Sequence, residues 1–286
     1  MINSQYKVDN MKQNFTKIIL KNNVLIYLSD LKDVVNQILN YHKYLPLPNL
    51  ILGNAILAFS PLKFIYKSNK LMIRYKTNGA MKSLILEINE NKIRGLVSNP
   101  NIETEYDQKN FNSIPLILGI GDDGIVEISR EIKGNFFTSE VKIAKADIVT
   151  DLVYFLNKSD QIYSAAINDF ELNEKDSTMA NKAKNIIFQL LPNHSEEDKI
   201  WIENFIKDNN FKNYSINEII EKIDGQIIST EFLEGICWCN KDKIINAINL
   251  LKNSEIEDLF SKDKQIEVVC EFCMTKRLFE KKDFLK

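Results

Sequence analysis

Residues 235–244 read GICWCNKDKI and residues 268–279 read VVCEFCMTKRLF. Together they hold every cysteine of a 286-residue chain: Cys237, Cys239, Cys270 and Cys273. Thiolates two or three residues apart can converge on one ion. Two such pairs, joined by a 30-residue gap, can close a tetrahedral four-sulfur site suited to zinc. Three readings compete: a disulfide staple, a structural zinc site, or a zinc site that is also a redox switch. The staple is the weakest, because a chain this long can bury an ordinary core without one. The two zinc readings share the ligands. They differ in whether oxidation is meant to break the site. Zinc keeps the sulfurs as thiolates, the reactive form, and each cysteine has a partner close enough to close a disulfide. A module of about 50 residues owes its fold to its metal, so losing the metal unfolds it.

Outward from the cysteines, residues 237–286 form a small four-cysteine zinc domain. The segments KDKIINAINLLKN and SEIEDLFSKD have helical spacing, the second with Ser254 and Glu257 placed as a capping box. KQIEVVC and KRLFEKKDF flank the second pair as a hairpin. Residues 193–236 are a helical linker with 10 acidic and 4 basic side chains and few strand signals. Ser195 with Asp198, and Ser215 with Glu218, have capping-box spacing. Both linker helices are short, so they depend on tertiary contacts. Ile200, Ile202, Phe205, Ile206, Ile219, Ile220 and Ile223 are the linker residues expected to be buried.

Residues 1–192 read as a mixed α/β domain, which makes the whole chain α+β. SDLKDVVNQILNYHKYL is a helix capped by Ser29 or Asp30, and LPNLILGNAILAF a second one starting after Pro48 and ending near Pro61. KLMIRYKTN and KSLILEINENKIRGLV are strands with a turn near Asn89 to Asn91, and DDGIVEISREIKGNFF adds a strand. ADIVTDLVYFLNKSDQ is helical. QIYSAAINDFEL and KAKNIIFQLLP are strands separated by NEKDSTMAN. Pro192 closes the domain.

Composition excludes several classes. The 37 basic and 39 acidic side chains leave a net charge of -2, which gives no general drive toward nucleic acid. Residues 237–286 carry 10 basic and 9 acidic side chains, so the cysteine module has no such drive either. The polar start does not read as a signal peptide, and VLIYLSD is too short and lacks the flanks of one. No run of membrane length is evident. A cytoplasmic location is the expectation. His42 extends an apolar stripe and reads as packed; His194 reads as exposed. With these two histidines far apart, and no nucleophile elbow, a hydrolase has no support. GIGDDG at 119–124 lacks a phosphate-loop lysine and reads as a turn. Four thiolates leave zinc no open position, so an enzyme is not expected. A zinc-ribbon adaptor with a purely structural metal is the alternative. Trp238, between two ligands, is placed to shield the metal, and Trp201 to pack on a linker helix.

The cysteine pattern resembles that of the redox-regulated 33 kDa heat-shock chaperones, the 33 kDa chaperonins. CEFCMTKRLF matches their zinc-binding end. YFLNKSDQI is similar to a helix-end motif of the family, with Asp160 in place of Glu, and IIFQLLP to a strand ending in Gln-x-x-Pro. Domain order agrees over about residues 12 to 284. The resemblance implies an ATP-independent holdase that is silent when reduced and zinc-bound. Oxidation with heat would activate it to hold unfolding client proteins, and activated members dimerise. It implies Cys237, Cys239, Cys270 and Cys273 as ligands of one Zn2+ and as redox sensors, pairing 237 with 239 and 270 with 273. Met274 stands where the family usually has Gly or Asn, Arg277 where it has an aromatic, and KAK at 182–184 where it has a small, Gly-rich step.

Overall fold

The structure is a computed structural model that describes residues 14–105, 110–208, 211–261 and 264–284. The polar start, residues 1–13, and Lys262–Asp263 of the second helical segment in the cysteine module lie outside them.

The described residues open with a hairpin, Phe15–Lys21 (β1) and Val24–Asp30 (β2). Its turn places Asn22 at φ 50°, a left-handed conformation that Asn adopts more readily than most residues. Sequence reading assigned no strand here. VLIYLSD is buried on both faces: Tyr27 joins one apolar cluster, Ile26 and Leu28 another. A strand covered on both sides shows no polar alternation. Ser29 and Asp30 end β2 rather than cap the next helix. That helix, Lys32–His42 (α1), has Leu31 at its N-cap and no side-chain cap, although the Asp30 carboxylate accepts from the Lys32 N–H at 3.4 Å. Pro46–Phe59 (α2) starts two residues before Pro48, with Pro46 in the first turn, where its missing N–H costs nothing. Leu62–Tyr66 (α3) follows.

Lys70–Thr77 (β3), Ser83–Asn89 (β4) and Lys92–Val97 (β5) form the expected meander, turning at Glu90 and Asn91. A short helix, Ile117–Ile120 (α4), runs into the GIGDDG turn, where Gly121 takes φ 79°. Gly124–Ile132 (β6) and Asn135–Lys142 (β7) are a hairpin where the sequence suggested one strand. Ile148–Ser159 (α5) is capped by Asp147, which accepts from the Thr150 N–H at 2.9 Å. Ser164–Asn173 (β8) and Asp176–Leu190 (β9) are joined by a tight turn. Most of NEKDSTMAN is therefore strand; its polarity reflects a ribbon whose side chains largely meet water, not a loop.

Glu196–Lys207 (α6) and Ile216–Ile223 (α7) carry both expected capping boxes. Gln226–Phe232 (β10) is a strand inside the stretch expected to be a helical linker with few strand signals. Lys241–Ile248 (α8) and Asn253–Leu259 (α9) precede the Gln265–Val269 (β11) and Lys276–Glu280 (β12) hairpin. At α9 the expected Ser254–Glu257 box is not formed. The Glu255 carboxylate instead accepts from the Lys252 N–H at 2.8 Å, two residues earlier.

Two antiparallel five-stranded sheets, β10-β1-β2-β9-β8 and β5-β4-β3-β6-β7, enclose α2. Every residue of α2 except Asn54 is buried, which is why it is apolar on all sides. A Cβ on Gly53 would lie 2.1 Å from the Phe170 ring, so only glycine lets β8 approach this closely. Among the described residues, the stretch Pro46–Tyr66 is long and apolar enough to cross a membrane by length and composition. This corrects the expectation that no run of membrane length is present. In the fold, 83% of its most apolar window is buried inside the protein.

The linker helices cover the other face of the first sheet. Ile202, Phe211, Ile219 and Ile223 share one cluster with Ile19, Ile26, Leu28, Ile186 and Phe188. Phe188 meets Trp201 and Phe205 edge-on at 5.8 and 5.2 Å between ring centroids. Phe205, Ile206 and Ile220 are partly buried against the same cluster. Ile200, expected to be buried, is 48% exposed, because α6 presents Ile202 and not Ile200 to the sheet. The KAK step has a role here: Lys184 Nζ lies 3.2 Å from Asp169 Oδ2 and donates to the Tyr214 carbonyl at 2.7 Å, tying β9 to the linker.

Candidate metal centre

The first cysteine pair is delivered by the chain that leaves β10. Leu233 is buried in the central core. Glu234 exchanges backbone hydrogen bonds with the edge of β5, donating to Asn91 O and accepting from the Ile93 N–H, both at 2.9 Å. The Gly235 N–H donates to Gln37 Oε1 at 2.7 Å. A Cβ on Gly235 would fall 2.6 Å from the Val34 carbonyl, so glycine allows the chain to press against α1. Two residues later Cys237 begins the pair.

The second pair sits in the turn between β11 and β12. The Met274 N–H and Cys273 N–H donate to Cys270 O at 2.7 and 3.3 Å, and the Cys270 N–H donates to Thr275 O at 3.0 Å. This winds the backbone so that both sulfurs face one point. Met274 has φ 55°, the left-handed region that favours glycine. The two pairs meet. Sγ of Cys237 lies 3.8 Å from Sγ of Cys270, and Sγ of Cys239 lies 3.5 Å from Sγ of Cys273. All four sulfurs fall within 4.8 Å of one another. A tetrahedral zinc with bonds of about 2.3 Å has sulfur–sulfur edges of about 3.8 Å. The donor set and its spacing therefore fit one Zn2+, and all four residues are half-buried.

As free thiols the four are unequal. Burial pushes Cys270 up to about 12, and burial also raises Cys237. Burial is the largest influence on Cys273 and raises it, but hydrogen bonds from the Thr275 hydroxyl and backbone, with those from Cys239 and Cys270, together bring it down to about 7. The Thr275 oxygen is 3.2 Å from the Cys273 sulfur.

Two arginines flank the sulfurs. Arg277 Nη2 is 3.8 Å from Cys239 Sγ, and Arg94 Nη1 is 3.4 Å from Cys237 Sγ. Zinc with four thiolates carries a net charge of about -2, which two guanidiniums suit. Arg277 thus has a site role at the position of the missing aromatic. Arg94 was not found from sequence. It lies 143 residues from Cys237, and nothing local marks it. Trp238 packs against Arg94, with the guanidinium 4.2 Å from the ring centroid. The histidines take no part. His42 Nε2 is 2.8 Å from Gly95 O and its ring stacks on Tyr44, while His194 is exposed.

The sequence pattern of the family described as Hsp33 protein matches residues 14–280. The chain is 27% identical over 272 residues to the 33 kDa chaperonin of Bacillus velezensis, covering 91% of this chain and 92% of that one. It is 25% identical over 288 residues to the 33 kDa chaperonin of Acholeplasma laidlawii, covering 96% and 98%. Its fold is similar to the crystal structure of the 33 kDa chaperonin, a heat shock protein 33 homolog, from Thermotoga maritima. That likeness has a TM-score of 0.81 at 23% identity and covers 95% of this chain and 96% of the other. With the family pattern running from the first strand to the last, this chain belongs to the Hsp33 family.

Proposed function

We propose that this protein is a redox-regulated, ATP-independent holdase that binds unfolding proteins under oxidative and heat stress. Membership of the Hsp33 family supports a chaperone function, and its relatives are named as chaperonins rather than as enzymes. The observation that carries the finer reading is one of placement. The four-cysteine cluster sits at the C-terminal end of a linker whose helices cover an apolar sheet face.

In the resting state Cys237, Cys239, Cys270 and Cys273 would hold one Zn2+. When bound, the ion ties two distant chain segments together and keeps their sulfurs as thiolates. Residues 237–284 need that tie. Their own cluster of buried residues is Ile256, Phe279 and Phe284, with partly buried isoleucines, valine and phenylalanine around them.

A peroxide supplies the oxidant. One thiolate attacks the O–O bond and becomes a sulfenic acid, releasing hydroxide. Its neighbour's thiolate then attacks that sulfur, the S–O bond breaks, and a second hydroxide leaves. Two electrons pass from sulfur to peroxide for each disulfide, and two protons convert the hydroxides to water. The pairing we propose is Cys237 with Cys239 and Cys270 with Cys273. Disulfide sulfurs are no longer thiolate donors, so the module loses its tie. The linker then loses the anchor at its C-terminal end. Helix α7 spans eight residues, too few to persist alone. Its departure with α6 would bare Ile19, Ile26, Leu28, Ile186 and Phe188 to an unfolding client. The acidic linker would keep the opened chain soluble. We place the protein in the cytoplasm, where thiols rest reduced, acting on proteins rather than nucleic acid or membrane and pairing as a homodimer when active.

The test is light scattering of a heat-unfolding client. Suppression by the peroxide-treated protein, with none by the reduced zinc-loaded protein, is expected. Equal behaviour of the two forms overturns the redox control, and no suppression by either overturns the holdase.

A further inference from the structure

Arg94 is a core residue that behaves as part of the cysteine module. It sits on β5, paired across the sheet with Glu87 of β4. Its Nε and Nη2 both donate to Glu87 Oε2, at 2.9 and 2.6 Å, and this fixes the guanidinium plane. Two aromatic rings of the module meet that guanidinium. The guanidinium carbon is 4.2 Å from the Trp238 ring centroid and 3.9 Å from that of Phe272. Trp238 lies between Cys237 and Cys239; Phe272 lies between Cys270 and Cys273. The remaining donor, Nη1, reaches the Cys237 sulfur at 3.4 Å. One side chain, only 15% exposed, therefore touches an aromatic residue inside each cysteine pair and one of the sulfurs.

We propose that Arg94, held by Glu87, is the latch that docks the cysteine module on the core sheet and releases it when the cysteines are oxidised. The inference rests on the redox reading above and names the residue through which the core senses it. The contacts are of a kind that oxidation removes. An N–H donated to a thiolate is charge-assisted; donated to a neutral disulfide sulfur it is weak. Joining Cys237 to Cys239, with two electrons going to peroxide as described, re-forms the backbone on both sides of Trp238. Joining Cys270 to Cys273 does the same around Phe272. Both rings leave the guanidinium as their pairs close. Arginine suits this task because it is planar, permanently charged and able to stack while donating; lysine matches the charge alone. Trp238 also walls a hollow of about 450 Å³ with Met72 and Phe136 on the core, so undocking changes that ring's surroundings twice over.

Arg94→Ala, Arg94→Lys and Glu87→Gln in the full-length, reduced and zinc-loaded protein test this. Hydrogen exchange is followed at 236–240, 270–275 and α2, Trp emission in a Trp201→Phe background reports Trp238, and a chromogenic chelator times zinc release after peroxide. Arg94→Ala is expected to speed exchange in the two cysteine segments and zinc release by roughly tenfold, the worth of two aromatic contacts. Exchange in α2 should not change. Arg94→Lys should fall close to Arg94→Ala, and Glu87→Gln between those two and the parent. Arg94→Ala with the parent's exchange and release rates overturns the latch. If Arg94→Ala also loosens α2, Glu87→Gln decides, and an unchanged release rate there overturns it. Client suppression is measured on the same samples. A parent that never suppresses aggregation fails the holdase reading, while release and exchange still judge the latch.

Discussion

Ile202→Ala separates the linker's cover from the cysteine chemistry. Ile202 is on α6, fully buried against the β1-β2-β9 face, and outside the central cluster that holds α2. The change removes three carbons. At about 0.8 kcal/mol per buried methylene the transfer loss is about 2.4 kcal/mol, and the cavity left behind raises it to about 3 kcal/mol. A change of about 3 kcal/mol multiplies the population of opened linker by roughly a hundredfold. The zinc site and its four sulfurs are untouched. Hydrogen exchange in 193–223 should accelerate by that factor in the reduced protein, with α2 still protected. The same reduced sample should slow client aggregation without peroxide, because the sheet face is already bared part of the time. A reduced variant with an open linker and no gain in suppression would refute the argument. It would show that the face under α6 and α7 is not where clients bind.

Chelating zinc from the reduced protein should remove a contribution of order 10 kcal/mol and melt residues 237–284 while α2 keeps its slow exchange; retained protection in β11 and β12 would contradict a metal-dependent module. Met274→Gly should relieve the left-handed backbone at φ 55°, stabilise the knuckle by about 1 kcal/mol and slow zinc loss to a chelator severalfold, whereas faster loss would mean that Met274 contributes by packing. The Asp198 carboxyl is held below its usual range, first by the Ser195 backbone N–H and then by the Asn23 side chain. A lowered folded-state value adds stability above the unfolded value of about 3.9 and loses it as pH falls through the folded one. Exchange in α6 should therefore quicken below about pH 4, and Asp198→Asn should flatten that response; an equally steep response in the variant would exclude this carboxylate.

What the sequence determined is what depends on neighbours in the chain. Ser195 with Asp198, and Ser215 with Glu218, form their boxes because a helix start needs a partner three residues away and nothing further. The β3 to β5 meander was legible from alternation, since one face of those strands meets water or a thin cover. The cysteine pairs were legible because each bite is local, and chemistry requires the two to meet. Tertiary structure decided the rest. β1 and β2 lack alternation because helices pack on both faces of their sheet. β10 is a strand only because the edge of β1, some 200 residues earlier, is there to pair with it. Which isoleucine of α6 is buried, Ile202 or Ile200, depends on the rotation at which that helix meets Phe188. Arg94 belongs to the cysteine centre only because β5 starts beside it. A side chain's role there is set by distances in space, and those come from the packing of the whole chain.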